Sequence, residues 1–304
     1  MKWNRREFLT TSSLALAAGA FRSVPAMGQA PAAAGTFREL RNGVGIFIGR
    51  GGTIGWAITP DAVVVVDSQF PDTAGACLEG IEQRSPRQID AIINTHHHGD
   101  HVGGNAVFKP KAKMIVSHER VPGLQRAQAE AGGADVPPQV YPDTTFSERW
   151  RQSFGNVTVS AWHYGPAHTG GDAVVLFEEA NVAHLGDLTY NKRHPNMDPP
   201  AGGAARNWVS VLERTTADLN DDTLFVVGHA KEGLDPVISR AEVLQFRDYL
   251  SAVLEYVERG LAQGQSKTEL AALQVLPNFE DLAGVPPRFT LGTFIEKVVD
   301  ELSA

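Results

Sequence analysis

The sequence predicts an α+β fold in which mixed β-sheets pack between helices. Three observations carry this. Short apolar runs with strand character crowd the first half of the chain. In the second half strands alternate with longer segments of helical spacing. Of the 304 residues, 42% are hydrophobic and 20% charged, so the chain buries a core and is neither disordered nor fibrous.

Residues 37–69 read as strands. Val44-Gly45-Ile46-Phe47-Ile48 and Ile54-Gly55-Trp56-Ala57-Ile58 flank a turn containing Gly49, Gly51 and Gly52, which predicts a hairpin. Val63-Val64-Val65-Val66 is a continuous apolar run, the mark of a strand buried on both faces, and it ends at Asp67. The spacing of Cys77, Leu78 and Ile81 predicts a helix over 73–84. Residues 89–95 form a further strand that runs straight into a histidine cluster. A strand follows at 113–116 and a helix at 121–130, while the glycines and prolines of 132–143 read as loop. Strands are predicted at 157–162, 173–177, 182–185 and 224–227, with a helix at 208–219. Val243, Phe246, Leu250, Leu254, Val257 and Leu261 form the apolar stripe of a long helix over 239–263. Shorter helices close the chain at 268–273 and 290–302. No linker divides residues 37–304, which read as a single domain.

Residues 1–30 read instead as an export leader. Arg5-Arg6 precede Phe8-Leu9, an apolar run continues to Phe21, and small residues suited to cleavage lie near Ala26 and Ala30. This resembles a bacterial twin-arginine signal and implies a periplasmic or otherwise exported protein. The run is too short for a membrane span. The net charge of −8 argues against a nucleic-acid partner held by phosphate contacts. Neither a GxGxxG nor a GxxxxGK[ST] pattern fits residues 43–55, and no serine sits in a GxSxG elbow.

The chemistry concentrates in Asn94-Thr95-His96-His97-His98-Gly99-Asp100-His101, which holds His-x-His-x-Asp-His directly after an apolar strand. Imidazole and carboxylate are the ligands zinc takes where thiolate is absent, and Cys77 is the one cysteine. Residues two apart on extended chain share a side, so His96 and His98 point the same way. Asp100 and His101 turn with the loop. Four ligands in six residues do not fit comfortably around one tetrahedral ion, which favours two adjacent metals.

This pattern resembles the metallo-β-lactamase superfamily, and three later segments match the family's order. They are Gly165-Pro166-Ala167-His168-Thr169-Gly170-Gly171-Asp172, His184-Leu185-Gly186-Asp187 and Val226-Val227-Gly228-His229. The resemblance implies a four-layer αβ/βα sandwich of two mixed β-sheets flanked by helices. It implies that His96, His98 and His168 hold a first divalent metal ion, and Asp100, His101 and His229 a second, with Asp187 bridging. Zinc is the metal implied. Asp67 matches a family position that supports the ligand loop from behind.

The implied reaction is attack on an ester-, lactone-, thioester- or β-lactam-type carbonyl of a small molecule by a hydroxide held between the metals, oriented by Asp100. One large subclass of zinc β-lactamases carries Cys where this chain has Asp187, so Asp187 points towards thioesterase- and lactonase-like members. The leader points the other way, towards periplasmic substrates such as β-lactams. Redox di-iron members have Glu where this chain has His98, which favours hydrolysis. The alternative is a mononuclear iron, persulfide-dioxygenase-like or redox metal protein on the same fold. Tyr190, Asn191, His194 and Arg206, in a loop expected above the metals, are candidate substrate contacts. His97 is expected to turn away from the ligands, and His118, His163 and His184 to be structural.

Overall fold

Val63–Val66 shows how the layers arise. Val64 and Val66 enter one apolar cluster and Val63 and Val65 another, because successive side chains leave a strand on opposite faces. Both faces of this strand are covered, which explains its unbroken apolar run. The computed structural model describes residues 35–133 and 139–304. The expected leader at 1–30 lies outside the described residues, as does part of the loop predicted at 132–143.

The first sheet takes its strands in chain order: β1 (Thr36–Arg41), β2 (Val44–Ile48), β3 (Ile54–Ile58), β4 (Val63–Val66), β5 (Ala91–Asn94), β6 (Ile115–His118) and β7 (Thr144–Phe146). It is antiparallel from β1 to β4 and parallel from β4 to β7. The remaining strands are β8 (Arg149–Phe154), β9 (Val157–Trp162), β10 (Val174–Phe177), β11 (Val182–His184), β12 (Tyr190–Asn191), β13 (Leu224–Val226), β14 (His229–Ala230) and β15 (Val237–Ile238). The second sheet runs β15-β13-β11-β10-β9-β8, with β11 and β13 parallel; β12 and β14 form a small parallel pair.

The helices are α1 (Pro71–Arg84), α2 (Gly99–Val102), α3 (Asn105–Phe108), α4 (Val121–Gly132), α5 (Ala205–Asp218), α6 (Arg240–Ala262), α7 (Lys267–Ala271) and α8 (Leu291–Ser303). Cys77 and Ile81 of α1 pack with Trp56, Val65 and Ile92 on the outer face of the first sheet. Trp208 and Leu212 of α5, Phe246 and Leu250 of α6 and Phe294 of α8 pack with Val174 and Phe225 on the outer face of the second. Val64, Val66 and Ile93 meet Val159, Ala161, Val175 and Phe177 between the sheets. The result is the expected four-layer sandwich. The long helix α6 begins at a capping box between Ser239 and Glu242, and α8 at one between Thr290 and Thr293.

Two departures from the sequence reading have simple causes. β8 escaped notice because its exposed and half-buried residues are largely charged or polar, as suits an edge strand facing water. α5 starts at Ala205 rather than Trp208, because Glu301 accepts from the backbone N–H groups of Ala205 and Arg206. No helix among the described residues is long and apolar enough to cross a membrane.

Candidate metal centre

Parallel pairing delivers the candidate ligands to one place. β4 and β5 are in register at Val66 and Ile93, so Asp67 and the Thr95–His96 turn leave the sheet together. β11 and β13 are in register at His184 and Val226, so Asp187 and His229 leave the second sheet together. Such carboxyl ends of parallel strands are where α/β folds build their sites.

Asp67 ties the histidine loop down. It sits in the left-handed region at φ 65°, fully buried. Its Oδ1 accepts from Thr95 N, and its Oδ2 from Thr95 Oγ1, each at 2.8 Å. Oδ2 also accepts from His101 Nδ1 at 2.7 Å, which leaves His101 Nε2 facing the other candidate ligands.

Two groups of side chains result. Ligand atoms of His96, His98 and His168 lie within 4.8 Å of one another, as do those of Asp100, His101 and His229. In the first group His98 Nδ1 is 2.9 Å from His168 Nε2. In the second, His229 Nε2 is 3.0 Å from Asp100 Oδ2. Asp187 stands between the groups. Its Oδ1 is 3.2 Å from His101 Nε2, and its Oδ2 is 3.7 Å from His168 Nε2 and 3.6 Å from His229 Nε2. Tyr190 donates to Asp187 Oδ2 at 2.8 Å and stacks on the His229 ring. Two glycines leave room: a Cβ on Gly52 would meet His101 Cε1 at 2.2 Å, and one on Gly228 would meet Asp187 Oδ1 at 2.1 Å.

The residues fit a pair of cations. His96 Nε2 is buried without a hydrogen-bond partner, and His101 Nε2 and Asp187 Oδ1, 3.2 Å apart as an ion pair, make no well-aligned hydrogen bond; a bound ion would satisfy all three. Burial pushes His96 down, and His168 to about 3, so both are neutral imidazoles able to coordinate. Burial also opposes charge on Asp100 and Asp187. The charge of His101 and the hydrogen bond from His229 nevertheless hold Asp100 below the usual carboxylate range, and His229 and His101 do the same for Asp187. Burial lowers His101 in turn, but Asp187, Asp67 and Asp100 together raise it well above the usual imidazole value. That concentration of carboxylates around one buried ring invites a dication in place of a proton.

The structure thus brings His96, His98, His168, Asp100, His101, Asp187 and His229 together, with Asp67 behind them. Of these, His98, Asp100, Asp187 and His229 line a cavity of ≈ 1160 Å³. Of the candidate substrate contacts, Tyr190 and His194 line it. The Tyr190 hydroxyl is committed to Asp187, and His194 Nδ1 pairs with Tyr249 Oη at 2.9 Å. Two expectations need correction. Asn191 does not line the cavity, because it lies in β12 and its amide donates to Asp235 O. Arg206 is in the first turn of α5, where its guanidinium pairs with Glu258 Oε1 at 2.7 Å, so it too is absent from the cavity wall. His97 is buried, with Nε2 3.7 Å from Asp198 Oδ2. His184 pairs with Thr53 O, and His118 stacks on His163.

Sequence reading missed the outer contacts of the first group. His98 Nε2 donates to Asp198 Oδ2 at 2.9 Å, and His168 Nδ1 donates to Asn196 O. Burial opposes the Asp198 charge, but His98 and His97 bring it to about 2. The Asp198-Pro199-Pro200 run signals a break in regular structure and nothing more.

The chain is similar to known proteins in both sequence and fold. The family profile of the Metallo-beta-lactamase superfamily matches residues 49–229, more than half of the chain and all four motif segments. A metallo-beta-lactamase type 2 from Bacillus sp. (strain 170) is 24% identical over 176 residues, covering 58% of this chain and 65% of that one. The chain therefore matches just under two thirds of that relative's length. A hydroxyacylglutathione hydrolase from Methylococcus capsulatus is 29% identical over 125 residues, 40% of this chain and 41% of the relative. Among solved structures, a metallo-beta-lactamase from Pontibacter korlensis superposes with a TM-score of 0.60 at 17% identity, covering 71% of this chain and 99% of that one, which shows a shared fold. Matched along its motif-bearing length, the chain belongs to the metallo-beta-lactamase superfamily.

Proposed function

We propose that this chain is a hydrolase working through two zinc ions, cleaving an ester-, lactone-, thioester- or β-lactam-type carbonyl in a small molecule. The observation that carries this reading is Asp187, whose two carboxylate oxygens approach imidazoles of both ligand groups at 3.2 to 3.7 Å. A bound metal pair supplies a nucleophilic water near neutral pH and an electrophile for the carbonyl oxygen.

The chain's own residues do the rest. Asp100 stays ionised and lines the cavity, placed to orient the attacking water. Burial pushes the Tyr190 phenol well above its ordinary range, and Asp187 adds to this, so Tyr190 remains a donor that fixes one carboxylate oxygen. Asp67 sets the His101 tautomer. The β-lactamase and hydroxyacylglutathione hydrolase relatives support carbonyl hydrolysis with different leaving groups. The Arg5-Arg6 leader supports export to the periplasm, which cell fractionation checks.

The test is a substrate panel on the zinc-loaded full chain: a β-lactam, an N-acyl homoserine lactone, a glutathione thioester and a phosphodiester. We expect turnover of a carbonyl substrate that is lost in His98→Ala and Asp100→Ala while the fold survives. Substantial activity in either variant contradicts the assignment. One bound iron with oxygen uptake and no hydrolysis replaces it with the dioxygenase alternative.

A further inference from the structure

We propose that Lys297, on the C-terminal helix α8, is a positioning residue for the first metal group. This rests on the metal-centre reading above. It assigns a role to a helix that lies beyond residues 49–229, the segment that the family profile matches.

The argument runs through residues 196–198. Asn196 O accepts from His168 Nδ1, and Asp198 Oδ2 accepts from His98 Nε2 at 2.9 Å. One short stretch of chain therefore holds the outer nitrogens of two histidines that come from motifs 70 residues apart. Asp198 is fixed by its own backbone, since its N–H donates to His168 O and its carbonyl accepts from Gly203 N. The Asn196 carbonyl has a different anchor. Lys297 Nζ donates to Asn196 Oδ1 at 2.9 Å and to Met197 O at 2.7 Å, so one ammonium grips the chain on both sides of the peptide carbonyl that serves His168.

The helix is well placed for this. Phe294 and Val298 bury its inner face in the core. Glu301, one turn beyond Lys297, accepts from the N–H groups of Ala205 and Arg206. One face of α8 therefore holds both ends of the segment between residue 196 and α5. Lys297 presents its cation to carbonyls, and Glu301 its anion to the N–H groups of a helix start. Lys297 also lines the cavity, half-buried, next to the site it steadies.

The experiment compares full-length wild type with Lys297→Met and Lys297→Arg. Zinc affinity is measured by competition with a chromophoric chelator, ligand geometry by the cobalt(II) absorption spectrum, and stability by thermal melting. Outer contacts of ligating histidines are worth about 10- to 100-fold in affinity. We expect Lys297→Met to weaken one of the two zinc-binding steps, that of the His96–His98–His168 group, by about tenfold and to shift the cobalt spectrum, and Lys297→Arg to restore both. Should Lys297→Met fail to fold, Asn196→Ala cuts the same contact from the other side and leaves the backbone carbonyl for His168; it too should weaken zinc several-fold. Wild-type zinc affinity in Lys297→Met, or in Asn196→Ala where that variant stands in, overturns the proposal while the metal-centre reading stands. Failure of the wild type to bind zinc overturns both.

Discussion

Asp67 Oδ2 accepts a hydrogen bond from His101 Nδ1 at 2.7 Å, and neither side chain is exposed. The contact spans the turn from one parallel strand to the loop after its neighbour. It sets which His101 nitrogen is free. Asp67→Asn keeps the size and suits the left-handed backbone, where Asn is tolerated. It removes the charge that favours the required tautomer. We expect zinc affinity at the Asp100–His101–His229 group to fall about 10- to 100-fold by calorimetric titration. Unchanged affinity would show that Asp67 only shapes the turn.

Gly228 leaves the space that Asp187 occupies. A methyl group there would lie 2.1 Å from Asp187 Oδ1 and 2.9 Å from His101 Cε1. Gly228→Ala therefore forces the carboxylate out of position. A displacement on the order of 1 Å costs about 100-fold in rate. Kinetics of the zinc-loaded variant check this, with the circular dichroism spectrum expected to match wild type.

Trp208 links the core to the site. It is fully buried on α5, and its Nε1 donates to Leu188 O at 2.8 Å, at the end of the turn that carries Asp187. Trp208→Phe leaves that carbonyl unpaired and a small void. We expect a loss of about 1–3 kcal/mol in chemical denaturation, together with weaker zinc binding.

His118 gives the stability a pH dependence unrelated to the candidate ligands. Its ring stacks on His163 at 3.8 Å, and Arg120 N donates to its Nδ1. Burial, then His163 and then Arg120 lower its pKa to about 4. The folded state therefore prefers the neutral ring more than the unfolded chain does, whose value is near 6.5. This contribution is present above pH 6.5 and is lost as the pH falls through about 4. It amounts to about 3 kcal/mol at most. Denaturation at pH 7 and pH 4 should show a smaller loss for His118→Phe than for wild type.

The histidine loop was legible from spacing alone, because His96, His98, Asp100 and His101 share one short loop after an apolar strand. His168, Asp187 and His229 lie far along the chain, and it was the family resemblance of their flanking segments that picked them out. The outer contacts of the first group were not legible, although Asp67 behind the second was. Asp198 reaches His98 across 100 positions, and Lys297 reaches Asn196 across 101, from segments whose composition suits any surface loop or helix. Arg206 shows the opposite error. Its place in a loop expected above the metals suggested substrate contact, but the Glu301 contacts at the start of α5 place it in a helical turn, paired with Glu258. The edge strand β8 was hidden by the polar residues that keep such an edge in water.

The central claim is that two cations bind between these side chains. Metal analysis of the zinc-loaded full chain, in wild type and in His229→Ala, tests it most directly. The account predicts two zinc ions per chain in the wild type and one in the variant, with His96, His98 and His168 retaining theirs. A single zinc in the wild type, unaffected by loss of His229, would contradict it.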